Sequence, residues 1–227
     1  MHSASFPILW SFRRCPYAMR ARLAVRASGL TVELREIMLR DKPNAFISAS
    51  SKATVPALEL GNGTVLAESR NIMFWALETS GDPEGWLTRY RQNEEHVNRF
   101  FHQLDGSFKT NLDRYKYASR YLTKEGMPIN GLAHRTAGAV FLSELNDTLS
   151  TTPFLSGEAM GLMDYAALPF IRQFRIADET WFDEQDWPLL HSWLQNFLSS
   201  EEFQAVMKKY IPWQNEASPV LFGKMVT

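Results

Sequence analysis

Cys15 is the only cysteine among 227 residues, and its neighbours are those of a reactive thiol. A short apolar run rich in strand formers, Phe6 to Ser11, precedes it, and Pro16, suited to the first turn of a helix, follows it. The sulfur therefore sits at a strand-to-helix junction. Unpaired backbone N–H groups at the helix start favour a thiolate there, and Arg13 and Arg14 add positive charge in the same sense. A lone cysteine can equally be an inert, buried small hydrophobe, and local context leaves both readings open. A single thiol closes no intrachain disulfide and builds no cysteine-based zinc site. Two-thiol exchange would need a second cysteine at position 18, which is Ala18. The remaining chemistry is exchange through a mixed disulfide that an external thiol resolves. Ser11 and Tyr17 offer hydroxyl groups beside the thiol, though each also reads as structural.

Two further features stand out in the first third. Val55-Pro56 opens an apolar stretch, Val55 to Leu60, where a proline removes a ladder donor; a cis peptide in a tight turn accounts for it, as does an ordinary edge-strand proline. Glu68-Ser69 lies at the start of a helical pattern, where Ser69 reads as a cap and where helix N–H groups can also bind a carboxylate. The histidines at 2, 96, 102, 134 and 191 have no i,i+4 pairing and no adjacent acidic motif, so zinc hydrolase chemistry finds no support. P-loop, G-x-G-x-x-G and G-x-S-x-G motifs are absent from the sequence.

The elements that must position these residues follow from periodicity. Phe6–Ser11 as a strand, Pro16–Ser28 as a helix closed by Gly29, and Thr31–Ile37 as a second strand make a βαβ unit whose strands run parallel. In the helix, Met19, Leu23 and Ala27 mark an apolar face, with Arg20, Arg22 and Arg26 on the other. A short helix after Asp41 and Pro43, a hairpin turning at Gly61-Asn62-Gly63, and a helix through Ile72, Trp75 and Ala76 complete a βαβ-α-ββ-α order. The breaker cluster Gly81-Asp82-Pro83-Glu84-Gly85 marks a boundary. The expected domains are 1–80, a linker at 81–86, and an all-helical 87–227. In the last, Val97, Phe101, Leu104, Phe108, Leu112 and Tyr115 form one face, and Ala133, Ala137, Val140 or Phe141, Leu145 and Leu149 another. Leu162 to Phe174 and Leu190 to Phe197 form two more helices, and no strand pattern competes.

Composition bounds the function. Apolar residues make up 45% and charged residues 22%, a globular balance with too few glycines and prolines for low complexity. A net charge of -1 argues against general nucleic-acid binding. The charge is uneven, with 10 Lys and Arg against 6 Asp and Glu in the first 80 residues. That excess reads either as a solvated surface or as a site for a small anion. No apolar run is long enough for a membrane helix and no secretory layout opens the chain, so the expectation is a soluble cytoplasmic protein with no membrane partner.

Taken together, Ser11-Phe12-Arg13-Arg14-Cys15-Pro16-Tyr17-Ala18, Lys42-Pro43, Thr54-Val55-Pro56-Ala57-Leu58, Glu68-Ser69 and the helical second half resemble the cytosolic glutathione S-transferases. The cysteine followed by proline and an aromatic is most similar to the omega-like, cysteine-type branch. Phe154-Leu155-Ser156-Gly157 with Asp164-Tyr165-Ala166-Ala167-Leu168-Pro169 resembles the family's second-domain helix signature, except that its Ser or Thr cap is Gly161 here, a loss of about a few tenths of a kcal/mol. The resemblance implies a thioredoxin-like N-terminal domain that binds glutathione as co-substrate, without a metal, and a helical C-terminal domain that receives an unknown electrophilic or disulfide substrate. It makes Cys15 the catalytic thiol. Tyr17 joins the substrate-binding set; Val55, before a cis Pro56, meets the cysteinyl part of glutathione; Glu68 and Ser69 hold the γ-glutamyl end; Lys42 meets a carboxylate. It further implies a homodimer. A cysteine in this place ranks thiol-disulfide chemistry, such as deglutathionylation or dehydroascorbate-type reduction, above conjugation to an electrophile. Family members that serve only as binding scaffolds often lose the thiol or the Glu-Ser pair, and this chain keeps both. Phe108, Tyr115, Tyr117 and Tyr121 either line the second pocket or belong to the core.

Overall fold

The computed structural model describes residues 6–124 and 126–223. Its backbone packs as two compact units, Met1–Leu87 with Ser200–Thr227, and Thr88–Ser199.

The first unit begins with the βαβ arrangement that the sequence predicts. Strand β1 (Ile8–Ser11), helix α1 (Pro16–Ser28) and strand β2 (Thr31–Glu36) place β1 and β2 side by side and parallel, with Leu9 opposite Leu34. Helix α1 is the crossover that two parallel neighbouring strands need. Helix α2 (Asn44–Ala49) follows, then β3 (Ala57–Glu59) and β4 (Val65–Leu66), antiparallel and joined by the glycine turn, then α3 (Ser69–Thr79). Gly63 takes a φ of 83° in that turn, a conformation that favours glycine.

Two expectations fail here. Helix α1 is not amphipathic in the ordinary sense, because Arg20 and Arg22 are as buried as Met19 and Leu23. Their charges are met inside the fold, so hydrophobicity alone misassigns that face. The last part of the chain also does not stay with the helical unit. Helix α11 (Glu201–Met207) and strand β5 (Leu221–Gly223) belong to the first unit, where β5 pairs antiparallel with the free edge of β2, Phe222 opposite Val32. The sheet order is therefore β4-β3-β1-β2-β5. A strand this short carries too little periodicity to be read from sequence; an edge that needs partners for its N–H and C=O groups recruits it.

The second unit is helical. Helix α4 (Trp86–Gln92) enters it, and α5 (Glu94–Gln103) continues through a π-turn at Leu104–Phe108 into α6 (Lys109–Lys116). The face from Val97 to Leu112 is buried, as its spacing predicts. Helix α7 (Gly131–Thr148) buries Phe141 and Leu145 as expected, and Leu149 just after it, but Ala133 and Ala137 are exposed and Gly138 and Leu142 face inward instead, while Val140 is 59% exposed. The partner on α8 (Leu162–Arg175) gives the reason, since a Cβ at position 138 would lie 2.6 Å from the Phe174 ring. A glycine, weak in any hydrophobicity count, is the contact residue. Helices α9 (Glu179–Asp183) and α10 (Pro188–Ser199) complete the unit, with Leu190, Trp193, Leu194 and Phe197 buried.

The start of α8 corrects the expectation of a weakened cap. Gly161 has no side chain to offer, but Ser156 Oγ accepts from the Met163 amide at 3.1 Å and takes the capping role from outside the helix. A Cβ at 161 would stand 3.0 Å from that Oγ, so the missing side chain leaves the space Ser156 uses. Asp164 is fully buried and accepts from the amides of Leu155, Ser156 and Gly161 and from Trp193 Nε1 at 2.9 to 3.1 Å. Burial pushes its carboxyl up, and these donors pull it the other way.

Candidate functional site

Cys15 is the N-cap residue of α1, with extended backbone (φ -79°, ψ 122°), and Pro16 opens the helix behind it. Proline suits this position because the first helical N–H has no partner within the helix. A turn closes over the junction, with the Cys15 amide donating to Phe12 O at 2.9 Å. The side chain is half-buried and in no disulfide. Its Sγ lies 3.6 Å from Val55 O, and the Val55–Pro56 peptide is cis. Thus two segments 40 residues apart, the α1 start and the approach to β3, meet at the sulfur.

Arg20 joins two of the named residues, Tyr17 and Ser69, and nothing in the local sequence marks it for that role. Its Nε donates to Ser69 Oγ at 2.9 Å, and its guanidinium lies 5.0 Å from the Tyr17 ring centre. Tyr17 and Ser69 are thereby linked across the α1–α3 packing. Ser69 is buried and is the first residue of α3, while Glu68 holds the N-cap position, so Ser69 is not the cap. The exposed Glu68 carboxylate pairs with Lys52 Nζ. Lys42 directly precedes Pro43, the N-cap of α2. Of the seven residues named from sequence, the structure brings Cys15 to Val55 and Pro56, and Tyr17 to Ser69 through Arg20. A cavity of about 560 Å³ in the same unit is lined by Met38, Asp41, Pro43, Asn44, Trp213 and Asn215, and by none of the seven.

The turn that carries the thiol rests on a buried charge network. Glu36, at the end of β2, accepts from the Arg13 amide at 2.6 Å with one oxygen and pairs with Arg22 through the other. Arg22 also donates to Ser11 Oγ at 2.8 Å and to Val206 O at 3.0 Å. Burial lowers the Arg22 pKa, and the Glu36 carboxylate works against that. Much of the basic excess of the first third is spent here: Arg13, Arg20, Arg22 and Arg26 are held by groups of the fold itself. Only the arginine spacing on α1 hinted at it; a buried carboxylate partner 14 residues away leaves no local signal.

In the helical unit, Phe108 is core. It packs on Phe141 and Phe174 with ring centres 4.8 and 5.6 Å away. Tyr115 also leans on Phe174, at 5.1 Å, and burial raises its pKa. Tyr117 and Tyr121 instead meet cations, Arg120 at 4.3 Å and Arg114 at 5.9 Å respectively. Among the described residues no group of three His, Cys, Asp or Glu side chains could hold a metal ion, and no helix is long and apolar enough to cross a membrane.

Comparison with known proteins places this geometry. Residues 9–84 match the family model for the glutathione S-transferase N-terminal domain, and residues 139–196 that for its C-terminal domain. Glutathione S-transferase omega-1 of Rattus norvegicus is 24% identical over 167 residues, 73% of this chain and 66% of the rat protein, so the chain spans just under two thirds of that relative. A protein of Aplysia californica named "Probable glutathione transferase" is 37% identical over 71 residues, 31% of this chain and 76% of that one. Among solved structures, a glutathione transferase family member from Pseudomonas fluorescens pf-5 with two glutathione bound superposes at a TM-score of 0.75 and 17% identity, covering 91% of this chain and 94% of that one. The tau-class glutathione S-transferase of Mangifera indica gives 0.70 at 22% identity, covering 91% and 94%. These two show the fold, a thioredoxin-like sheet with helices followed by a helical unit. With both halves of the chain matched by the paired domain models, the protein belongs to the glutathione S-transferase family.

Proposed function

We propose that the protein is a glutathione-dependent thiol transferase of the cysteine type, with Cys15 as its nucleophile. The observation that carries the reading is the placement of Cys15 at the N-cap of α1 with its sulfur 3.6 Å from Val55 O, beside the cis Pro56. Backbone N–H groups at that helix end stabilise negative charge on sulfur.

In the proposed cycle the Cys15 thiolate attacks the glutathione sulfur of a glutathionyl mixed disulfide. The S–S bond of the substrate breaks, its other sulfur leaves as a thiolate and takes a proton from water, and Cys15 becomes joined to glutathione. A second glutathione thiolate then attacks the glutathione sulfur of that adduct, releasing oxidised glutathione and restoring the Cys15 thiolate. Ala18 in place of a second cysteine makes the external thiol obligatory. Val55 pairs its backbone with the cysteinyl part of glutathione, in the manner of an added strand. Glu68 and Ser69 receive the γ-glutamyl end, Tyr17 borders it, and Lys42 meets a carboxylate. Lys52, already against Glu68, competes with the ligand's ammonium group for that carboxylate. A single cysteine in no disulfide suits a reducing, cytoplasmic compartment, and a two-fold homodimer, as in the family, is the proposed assembly, checked by light scattering.

The test is intact mass after incubation with oxidised glutathione, on wild type and Cys15→Ser, followed by glutathione-dependent disulfide reduction. The expected result is an adduct and turnover in wild type and neither in Cys15→Ser. Activity of Cys15→Ser toward an electrophile with no reduction by wild type overturns the reading in favour of conjugation. Glutathione binding with neither activity overturns it in favour of a scaffold.

A further inference from the structure

The chain ends by returning to the thiol-bearing turn, and its contacts there are numerous and specific. Arg22 is fully buried, and three of its neighbours come from the C-terminal segment: Val206 O accepts from Nη1 at 3.0 Å, and the rings of Tyr210 and Phe222 lie 6.0 and 5.8 Å from the guanidinium. Arg13 donates to the next carbonyl, Met207 O, at 3.2 Å, so two cations satisfy the last carbonyls of α11, the end that carries partial negative charge. Arg26, one turn beyond Arg22 on α1, pairs with Glu202 at 2.7 Å. Farther on, the Trp213 amide donates to Glu36 O at 2.7 Å. The Trp213 ring lies 4.6 Å from the Arg35 guanidinium and meets the Trp10 ring edge-on at 5.1 Å, and Trp10 is 4.9 Å from the same guanidinium. Last, β5 pairs with β2, and Val220 O accepts from the Leu34 amide at 2.7 Å.

These contacts converge on Glu36 and Arg13. Glu36 takes the Trp213 amide on its backbone and holds the Arg13 amide with its side chain; Arg13 is two residues from Cys15, inside the turn that the Cys15 amide closes on Phe12. We infer that the segment from Glu201 to Gly223 positions the Cys15 turn, acting through Arg13, Arg22 and Glu36. These are positioning residues: they fix where the helix N–H groups stand relative to the sulfur, and small displacements there alter thiol reactivity strongly. The inference deepens the thiol-transfer reading and rests on Cys15 being its nucleophile.

The test uses the full chain and needs no glutathione. Cys15 is the only thiol, so its alkylation by iodoacetamide, followed by intact mass from about pH 5 to about pH 9, reads this turn alone. Trp213→Leu combined with Phe222→Leu keeps apolar bulk but removes the rings over Arg35 and Arg22. A rate changed at least about threefold at neutral pH, with the profile displaced along the pH axis and restored by Trp213→Phe combined with Phe222→Tyr, is the expected outcome. Wild-type rate and profile in a folded but less stable Leu variant overturns the inference, because the segment then contributes stability only. Should the double variant fail to fold by circular dichroism, Trp213→Leu alone decides by the same readout. The thiol-transfer reading itself fails on a different signal, the lack of a glutathione adduct on wild-type Cys15.

Discussion

At the scale of single residues, most of the named side chains do their work through a neighbour that local sequence does not reveal. Ser69 looks like a helix cap, yet its hydroxyl faces inward to buried Arg20. Ser69→Ala leaves that donor short of an acceptor in a place water reaches poorly, so a stability loss of about 1 to 2 kcal/mol is expected in urea unfolding. If Ser69 holds the γ-glutamyl end, the same variant raises the KM for glutathione about tenfold with little change in kcat. Asp183 illustrates the surface case. Arg175 binds it with two bonds of 2.7 and 2.6 Å, and that bonding holds its carboxyl below the usual carboxylate range. A depressed folded pKa means the contribution is present at neutral pH and is lost as the pH falls below the ordinary Asp value, about 3.9, toward the folded one. Because Asp183 is half exposed, Asp183→Asn costs under about 1 kcal/mol at pH 7 and flattens the acid limb of the stability curve. Thermal melts from acid to neutral pH check it; a cost that persists unchanged in acid contradicts the assignment.

At the scale of elements, packing overrides pattern at the small residues. Alanine at 138 gains about 1 kcal/mol of helix propensity over glycine, but its Cβ would stand 2.6 Å from a ring atom of Phe174. Phe174 cannot give way, being fully buried and packed by Phe108, Tyr115 and Trp181. Overpacking outweighs propensity, and Gly138→Ala is expected to destabilise by about 1 to 2 kcal/mol net, read as a lower denaturation midpoint at unchanged slope. A neutral or stabilising result means that α7 and α8 shift apart freely. Strand β2 and helix α10 were legible because their burial follows a 2- or 3.6-residue repeat, and α1, though buried on nearly every side, was legible from Pro16 at its start and Gly29 at its end. The inward face of α7 was legible only at Phe141, Leu145 and Leu149; its Gly138 and Leu142 side was not, since a missing side chain makes the contact there.

At the scale of the whole molecule, chain order and spatial order part company at position 200. Residues 200–223 pack with the first unit. Strand β5 comes so close to the βαβ unit that a Cβ on Gly223, whose φ is 147°, would lie 2.1 Å from Leu30 O. Gly223→Ala is therefore expected to lift β5 from the edge of β2. Hydrogen exchange at the Leu34 amide, whose acceptor is Val220 O, should rise at least about tenfold while the Leu9 amide stays protected. Unchanged protection at Leu34 shows that the strand tolerates the clash.

By itself the sequence determined the βαβ start and the helical second half, because these depend on local rules, turn chemistry and apolar repeats; it singled out Cys15, Val55-Pro56 and Glu68-Ser69 one by one, and their grouping into one candidate site came only from the family resemblance. Only the tertiary structure decided that the sulfur meets Val55 O, that Arg20 joins Tyr17 to Ser69, that Arg22 and Glu36 form a buried pair, and that the segment from Glu201 to Gly223 contacts Arg13, Arg22 and Glu36. The physical reason is the same in each case. A buried charge or an open sheet edge must find a partner, and nothing in its own neighbourhood specifies which distant segment will supply it.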